Sequence, residues 1–384
     1  MRVALVTNAV APHRVPVFRR LADTPGWRLR IFTSAETEFD RSWSVDTGDL
    51  DVVRVPGISH VTRGRTRHLP LGLPLALHRF RPDVVVSAEL GVRSWLAWLY
   101  CAAVRVPLVL WTYPSRIEGQ EIEGLGLTLR RALLSRAHAV IGMGTQARQA
   151  LLAWGTSPDA IHDAPNAHDQ DGLRKALAAV SPEAARLGLR AGLGCRDRVA
   201  LYVGRLLASK GVALLLDAWD ELDPDLRDEW TLCFVGNGPL EEHVRQAAQT
   251  HRPGEIVHVP AVPPAEVAAF YSAAELLVLP SLREPWGLVV NEAMASGLPV
   301  CGSRLAGCAD DLLREGETGW LFDPRASQDF SAALERALTC PDRAALGARA
   351  RQHAARFGPD AMAEGVRAAI GFAVAPGRAW PRVV

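Results

Sequence analysis

Two glutamates stand eight residues apart in Glu284-Pro-Trp-Gly-Leu-Val-Val-Asn-Glu292, and upstream the run Gly204-Arg205-Leu-x-x-x-Lys210-Gly211 supplies two cations. Read as a helix, that gap separates the carboxylates by roughly 12 Å, too far for an acid/base pair at one bond. They suit the two ends of an elongated ligand instead. A guanidinium that binds two oxygens at once, beside a compact ammonium, suits phosphate. Lysine occurs only as Lys175 and Lys210 against 41 arginines, so a lysine inside this element is not an accident of composition. Free amides after Pro285 add a further preference for an anion.

These residues need a scaffold that brings distant segments together. The Pro285-Trp286-Gly287 break predicts a short apolar helix that ends at Gly297, with Glu284 at its mouth and Glu292 inside it. Arg2-Val-Ala-Leu-Val-Thr and Arg198-Val-Ala-Leu-Tyr-Val-Gly echo each other as first strands of two doubly wound domains. Apolar runs follow at 29–33, 84–87, 108–111 and 139–141, then at 231–235, 256–259, 276–279 and 298–301. Continuous apolar strands alternating with helices predict parallel sheets covered on both faces, and such sheets gather ligands at the carboxyl ends of their strands. Each candidate loop follows such an end: Gly204, Gly236-Asn237-Gly238-Pro239, Pro260-Ala-Val262 and Pro280-Ser-Leu-Arg-Glu284. The Gly236 turn reads equally as a plain strand-to-helix turn or as a ligand contact.

Length and composition agree with two domains. The chain has 384 residues, 48% hydrophobic and 22% charged, the profile of an ordinary globular protein. Its charge is uneven, a net +5 over residues 1–170 and −4 over 171–384, too mild to indicate nucleic acid. Six scattered cysteines without a C-x-x-C pair read as thiols in a reducing compartment, with Cys101, Cys233 and Cys301 in apolar surroundings. The first residues hold too short an apolar run for a signal peptide, and Arg105 and Pro107 break the apolar stretch 94–111 into a helix and a buried strand. A cytoplasmic protein without a transmembrane segment is expected, with peripheral membrane contact left open.

The Glu284 to Glu292 motif, embedded in E-P-W-G-L-V-V-N-E-A-M-A-S-G-L-P-V, and the Gly204-Arg-Leu to Lys210-Gly element resemble retaining nucleotide-sugar glycosyltransferases of the GT-B fold, family 4 in particular. The resemblance covers nearly the whole chain. It implies two Rossmann-like domains facing across a cleft: an acceptor-binding domain, residues 1–170, and a nucleotide-sugar-binding domain, residues 171–359. A C-terminal helix, about 360–384, would return to the first. Pro165-Asn166-Ala-His168-Asp stands at the border, with Ala167 and His168 in place of the family's usual glycine and valine.

The resemblance further implies that Glu284 contacts the donor sugar's hydroxyls, Glu292 those of the ribose, and Arg205 and Lys210 the diphosphate. Arg205, Lys210 and Glu284 form the catalytic set. Gly204, Gly236, Asn237, Gly238, Val262, Trp286, Gly287, Leu288 and Glu292 complete the donor site. The implied reaction is metal-independent transfer of a hexose, with retained configuration, from a nucleoside-diphosphate sugar. UDP is favoured from family usage. The donor is a co-substrate, and no cofactor is implied.

Acceptor contacts are expected from His13, Arg14, Glu89 and Trp111. Trp111-Thr112-Tyr113 stands where many members carry a histidine, so no histidine role is carried over. The basic loop 63–68 suits an anionic acceptor or lipid surface, and Glu118, Glu121 and Glu123 suit a cationic one; the two point in opposite directions. A small natural product and a cell-envelope glycan both remain open as acceptors. Two alternatives share the architecture, a nucleotide-sugar epimerase and a catalytically silent binding subunit. A dehydrogenase is disfavoured because neither first strand is followed by G-x-G-x-x-G.

Overall fold

A computed structural model describes residues 1–35, 45–62 and 65–377, with only the backbone given at 61–62, 65–67, 116 and 118. The chain divides into two compact units, residues 1–169 with 359–384, and residues 170–358.

The first unit is built on β1 (Arg2–Thr7), β2 (Arg28–Thr33), β3 (Val52–Arg54), a hairpin of β4 (Ile58–Thr62) and β5 (Arg65–Leu69), β6 (Val84–Ala88), β7 (Leu108–Thr112), β8 (Ala139–Gly142) and β9 (Ile161–Asp163). Seven of these form a parallel sheet ordered β3-β2-β1-β6-β7-β8-β9. Successive side chains on a strand point to opposite faces. Val3 and Leu5 accordingly enter one apolar core while Ala4 and Val6 enter another. Both faces are therefore dry, which is why these strands read as unbroken apolar runs.

The second unit repeats the plan with β10 (Arg198–Val203), β11 (Trp230–Val235), β12 (Ile256–Val259), β13 (Leu276–Leu279), β14 (Val300–Ser303) and β15 (Gly319–Phe322), ordered β12-β11-β10-β13-β14-β15. Ala200 and Tyr202 face one core, Val199 and Leu201 the other. Two Rossmann-like units of this kind make a GT-B chain.

Strand positions match the apolar runs, with one shift. The run 298–301 becomes β14 only from Val300. Gly297, at φ +85°, closes the preceding helix, and the Leu298 amide donates to the Ala293 carbonyl at 2.9 Å. Leu298 thus belongs to a helix C-cap. The short strands β3, β4, β5, β9 and β15 carry no apolar run long enough to be expected.

The C-terminal helix spans Pro359–Ala373 and belongs to the first unit. Met362, Val366 and Ile370 are fully buried in the core that holds Val3 and Leu5, the helix packing on β8, β9 and the helix Val15–Ala22, each side chain worth roughly 1.5–3 kcal/mol. Gly365 permits the close approach, because a Cβ there would lie 2.1 Å from the Asp163 carbonyl oxygen. Arg20 and Asp360 pair at 2.6 Å at the exposed start of the helix, a contact that adds little. All six cysteines are free, and burial raises the Cys101, Cys233 and Cys301 thiols far above the usual range. Among the described residues no helix is long and apolar enough to cross a membrane.

Candidate functional site

In the second unit β12, β11, β10 and β13 lie side by side, so their four carboxyl-end loops are neighbours. Backbone contacts weld these loops together. Gly204 donates to the Val235 carbonyl at 3.0 Å and Leu206 to that of Asn237 at 2.9 Å. Gly236 is required here, since a Cβ would stand 1.9 Å from the Gly204 oxygen. The Asn237 side chain accepts from the Ala261 amide at 2.7 Å and so holds the segment carrying Val262 against the Gly236 turn. Asn237 and Gly236 thereby shape the loops, whatever else they contact.

The Lys210 turn is fixed from the other side. Leu282 and Arg283 both donate to the Ser209 carbonyl at 3.0 Å, and Gly211, at φ +70°, lets the turn press on Pro280. Lys210 Nζ therefore meets Glu284 Oε2 in a direct ion pair, the two side chains 18% and 15% exposed. Arg205 is exposed earlier in the same loop, its carbonyl held by the Tyr202 hydroxyl at 2.8 Å.

Glu284 is not part of the helix. It bridges Ala306 as a short β contact, and Gly307 donates to its carbonyl at 2.9 Å. The helix runs Leu288–Ala295, directly after the Pro285-Trp286-Gly287 break, and starts from Gly287 at φ +104° with no side chain capping it. The helical estimate of the separation between Glu284 and Glu292 therefore does not apply. The uncapped amides at Leu288 still mark a place for an anion.

One donor-site expectation needs correction, that of the Trp286 ring. Trp286 is 2% exposed, packed in the core with its indole N–H on Asn291 Oδ1 at 2.7 Å. Its bulk anchors the helix start, so only its backbone is offered to a ligand. Glu292 is half-buried, and its Oε2 accepts the Tyr271 hydroxyl at 2.8 Å. Burial pushes its carboxyl up to about 7, and the tyrosine bond lowers it part of the way. Tyr271, on helix Pro264–Ala273, was invisible in the sequence because nothing in an apolar helix marks one tyrosine as a partner.

The first unit brings its own set to the carboxyl ends of β1, β6 and β7. Arg14 lies over the Trp111 ring at 4.4 Å with a nitrogen 3.6 Å from Met143 Sδ, and burial lowers its pKa. Trp111 itself is 1% exposed in the core. Trp111 is thus a floor for Arg14 and offers no acceptor contact. His13 sits half-buried in the 3-10 turn Pro12–Arg14.

Glu89 is the informative member. It adopts φ +71°, a left-handed conformation that a non-glycine residue rarely takes. Its amide donates to the Trp111 carbonyl at 2.8 Å. Its carboxylate accepts the Tyr113 hydroxyl at 3.2 Å and lies 3.8 Å from the Arg93 guanidinium. Arg93, 8% exposed, also donates to Ser34 Oγ at 3.2 Å and Asn8 Oδ1 at 3.1 Å, clamping three strand ends. No local pattern marks Arg93 or Tyr113 as a partner of Glu89, because only the sheet order makes β1, β2, β6 and β7 neighbours. Arg63 and Gly64 lie outside the described residues, as do the side chains of Arg65, Arg67 and Glu118. Among the described residues no cluster of three or more His, Cys, Asp or Glu is placed to hold a metal.

Known proteins resemble this chain throughout. The family model described as glycosyl transferases group 1 matches residues 191–353. A D-inositol 3-phosphate glycosyltransferase of Acidothermus cellulolyticus is 33% identical over 408 residues, covering 95% of this chain and 89% of that protein. A sulfoquinovosyl transferase of Arabidopsis thaliana is 27% identical over 316 residues, covering 75% of this chain and 58% of its own. Among solved structures, Anabaena HepE in complex with UDP-glucose superposes with TM-score 0.71 at 18% identity, covering 97% of this chain and 99% of that one. A sucrose-phosphate synthase from Thermosynechococcus elongatus gives TM-score 0.71 at 20% identity, with coverages of 96% and 98%.

Proposed function

The chain belongs to the glycosyl transferases group 1 family, and on that premise we propose that it transfers a hexose from a nucleoside-diphosphate sugar, UDP favoured, to an acceptor hydroxyl with retained configuration and without a metal. The observation that carries this reading is the Lys210 to Glu284 ion pair at the edge shared by the Gly204 and Gly236 loops and the uncapped helix at Leu288. That edge offers cations and amides to a diphosphate and a carboxylate to the sugar next to it. The relatives' printed names, which include transfer to an inositol phosphate and a complex with UDP-glucose, support the same substrate class.

In the reaction the bond between the anomeric carbon and the diphosphate oxygen breaks, and its electron pair stays on that oxygen. Arg205, Lys210 and the amides of Gly287 and Leu288 stabilise the growing negative charge, a task otherwise suited to a divalent ion. The acceptor oxygen bonds to the same face of the anomeric carbon, and its proton passes to the departing diphosphate. Glu284 orients the sugar and holds the Lys210 ammonium until phosphate engages it. Glu292 takes the ribose hydroxyls, and the first unit takes the acceptor.

The test is UDP affinity and donor hydrolysis for the wild type, Arg205→Ala, Lys210→Ala and Glu284→Ala. Loss of charged hydrogen bonds is expected to weaken UDP about ten- to hundredfold in the first two and to reduce hydrolysis in all three. Unaltered UDP binding in both cation variants would refute the site. Product NMR reports the anomeric configuration, and activity in the presence of EDTA tests metal independence. Reversible epimerisation of the free donor, with no transfer, would favour the epimerase alternative.

A further inference from the structure

The helices Leu73–Phe80, Val92–Val104 and Gly124–Leu134 cover one face of the first unit's sheet, packed side by side over the core that holds Ala4, Val6 and Val85. Their inward residues, Leu77, Cys101 and Leu133 among them, are fully buried. Their outward sides are apolar as well. Leu75 and Leu99 are 54% exposed, Leu125 74% and Leu129 47%, and Val104 is exposed at the end of the second helix. A lone exposed leucine needs no explanation, but a set on the outer sides of three packed helices makes a patch of the sort that marks an interaction surface.

The charge on this face has one sign. None of the three helices contains an aspartate or glutamate, and Asp83, Glu89, Glu118, Glu121 and Glu123 belong to the segments between them. Arg79 and Arg131 are exposed on the same helices as the leucines. Arg136 lies over the rings of Trp98 and Trp95, at 5.2 and 5.8 Å, and both rings are half-buried on the second helix.

Three arginines also form a row. Arg81, Arg105 and Arg136 each stand three residues before a strand, which begins at Val84, Leu108 or Ala139. Those strands, β6, β7 and β8, are neighbours, so the arginines lie along the amino-end edge of the sheet, opposite the carboxyl-end loops that carry Glu89 and Tyr113. Arg81 and Arg105 close their helices at φ 51° and 56°, a left-handed position that favours glycine. The helix dipole favours a cation at each carboxyl end. It gives no reason for the exposed leucines on the same helices.

We propose that this face docks on an anionic lipid bilayer. Leu75, Leu99, Leu125 and Leu129 enter the boundary between headgroups and acyl chains, and the arginines pair with lipid phosphates. Trp95 and Trp98 suit headgroup depth, where amphipathic rings are favoured. Charge selects this occupant, because a second copy of the chain seated on the same face would set cations against cations. Among the described residues no helix is long and apolar enough to cross the bilayer, so the chain lies on its surface. With the arginine row at the opposite edge, docking leaves the carboxyl-end loops uncovered.

The experiment is co-sedimentation of the full chain with vesicles of phosphatidylcholine alone and of phosphatidylcholine containing about one third phosphatidylglycerol, at low and high salt. Binding is expected to be about tenfold or more tighter on the anionic vesicles and to weaken in high salt. Arg81→Gly with Arg105→Gly removes two cations while supplying the residue a left-handed position favours. Its unfolding midpoint is expected to hold or rise while vesicle affinity falls about tenfold or more. Leu125→Ser with Leu129→Ser is expected to weaken binding by about tenfold or more. Leu187→Ser, at an exposed leucine on the helix Pro182–Leu193 of the second unit, is expected to leave binding unchanged. Unfolding midpoints and UDP affinities establish that each variant is folded. Equal binding to both vesicles, no binding to either, or an affinity that neither double variant lowers would overturn the proposal. A concentration-dependent dimer that Leu125→Ser with Leu129→Ser abolishes, without vesicle binding, would assign the face to a second copy instead.

Discussion

The Tyr271 hydroxyl donates to Glu292 Oε2 at 2.8 Å, joining two helices at the carboxylate proposed to meet the donor ribose. Burial favours the protonated carboxyl, which titrates at about 7 in the folded chain against 4.5 when unfolded. Its contribution to stability is therefore full below about 4.5 and lost as pH rises through about 7. Ligand binding should run the other way, because the ionised form is the better acceptor for ribose hydroxyls. UDP affinity of the wild type is expected to rise through about pH 7, Tyr271→Phe to move the midpoint higher, and Glu292→Gln to flatten the profile. A flat wild-type profile between about pH 5.5 and 8.5 would dissociate Glu292 from the nucleotide.

Lys210 and Glu284 are mostly buried as a pair, so removing one partner strands the other. Lys210→Met is expected to destabilise the chain by about 1–3 kcal/mol and to abolish tight UDP binding. Lys210→Met with Glu284→Gln removes both charges and should recover most of the stability without recovering binding. Urea unfolding of the single and double variants checks this. A double variant no more stable than Lys210→Met would show that the pair is not what the single change disrupts.

His168 is 1% exposed, and both its ring nitrogens are buried without a hydrogen-bond partner among the described residues. Burial lowers its pKa to about 4, with Asp169 opposing the shift. The folded chain thus holds a neutral imidazole, while the unfolded chain protonates near 6.5. Stability is full above about pH 6.5 and falls as pH drops toward 4, by about 3 kcal/mol in all. His168→Val should flatten that slope, which thermal unfolding from neutral to mildly acid pH would show. An unchanged slope would contradict the assignment.

Gly211→Ala combines a left-handed φ of +70° with a Cβ only 2.0 Å from the Pro280 carbonyl oxygen. The change is expected to cost at least about 1–3 kcal/mol and to weaken UDP, because it separates the Lys210 turn from the Glu284 loop. Gly188→Ala, in the helix Pro182–Leu193 where a Cβ meets nothing within 4 Å, is the comparison, expected to stabilise by up to about 1 kcal/mol. Equal unfolding midpoints for the two variants would show that the loops are not packed as described.

Local pattern made much of this chain legible. Apolar runs such as Val84-Val-Val and Leu276-Leu-Val-Leu declare strands buried on both faces, since only a parallel sheet under helices needs side chains that are apolar on each side. The Gly204 to Lys210 element and the Glu284 to Glu292 stretch mark the loops proposed to hold the donor, because phosphate binding demands particular residue types at short spacing. Pattern went astray where packing decided. The large ring of Trp286, which reads from sequence as a ligand contact, is drawn into the core by its burial and its bond to Asn291.

Residue types and spacing thus determined by themselves the two-unit α/β architecture, the family and the position of the carboxyl-end loops, because those follow from period, turn chemistry and short motifs. Tertiary structure alone decided who stands beside whom. It put Lys210 on Glu284, Tyr271 on Glu292, and Arg93 on Asn8, Ser34 and Glu89. Those partners lie from 4 to 85 positions apart along the chain. For the distant ones only strand order and loop packing set the separation in space, and no local sequence signal encodes it.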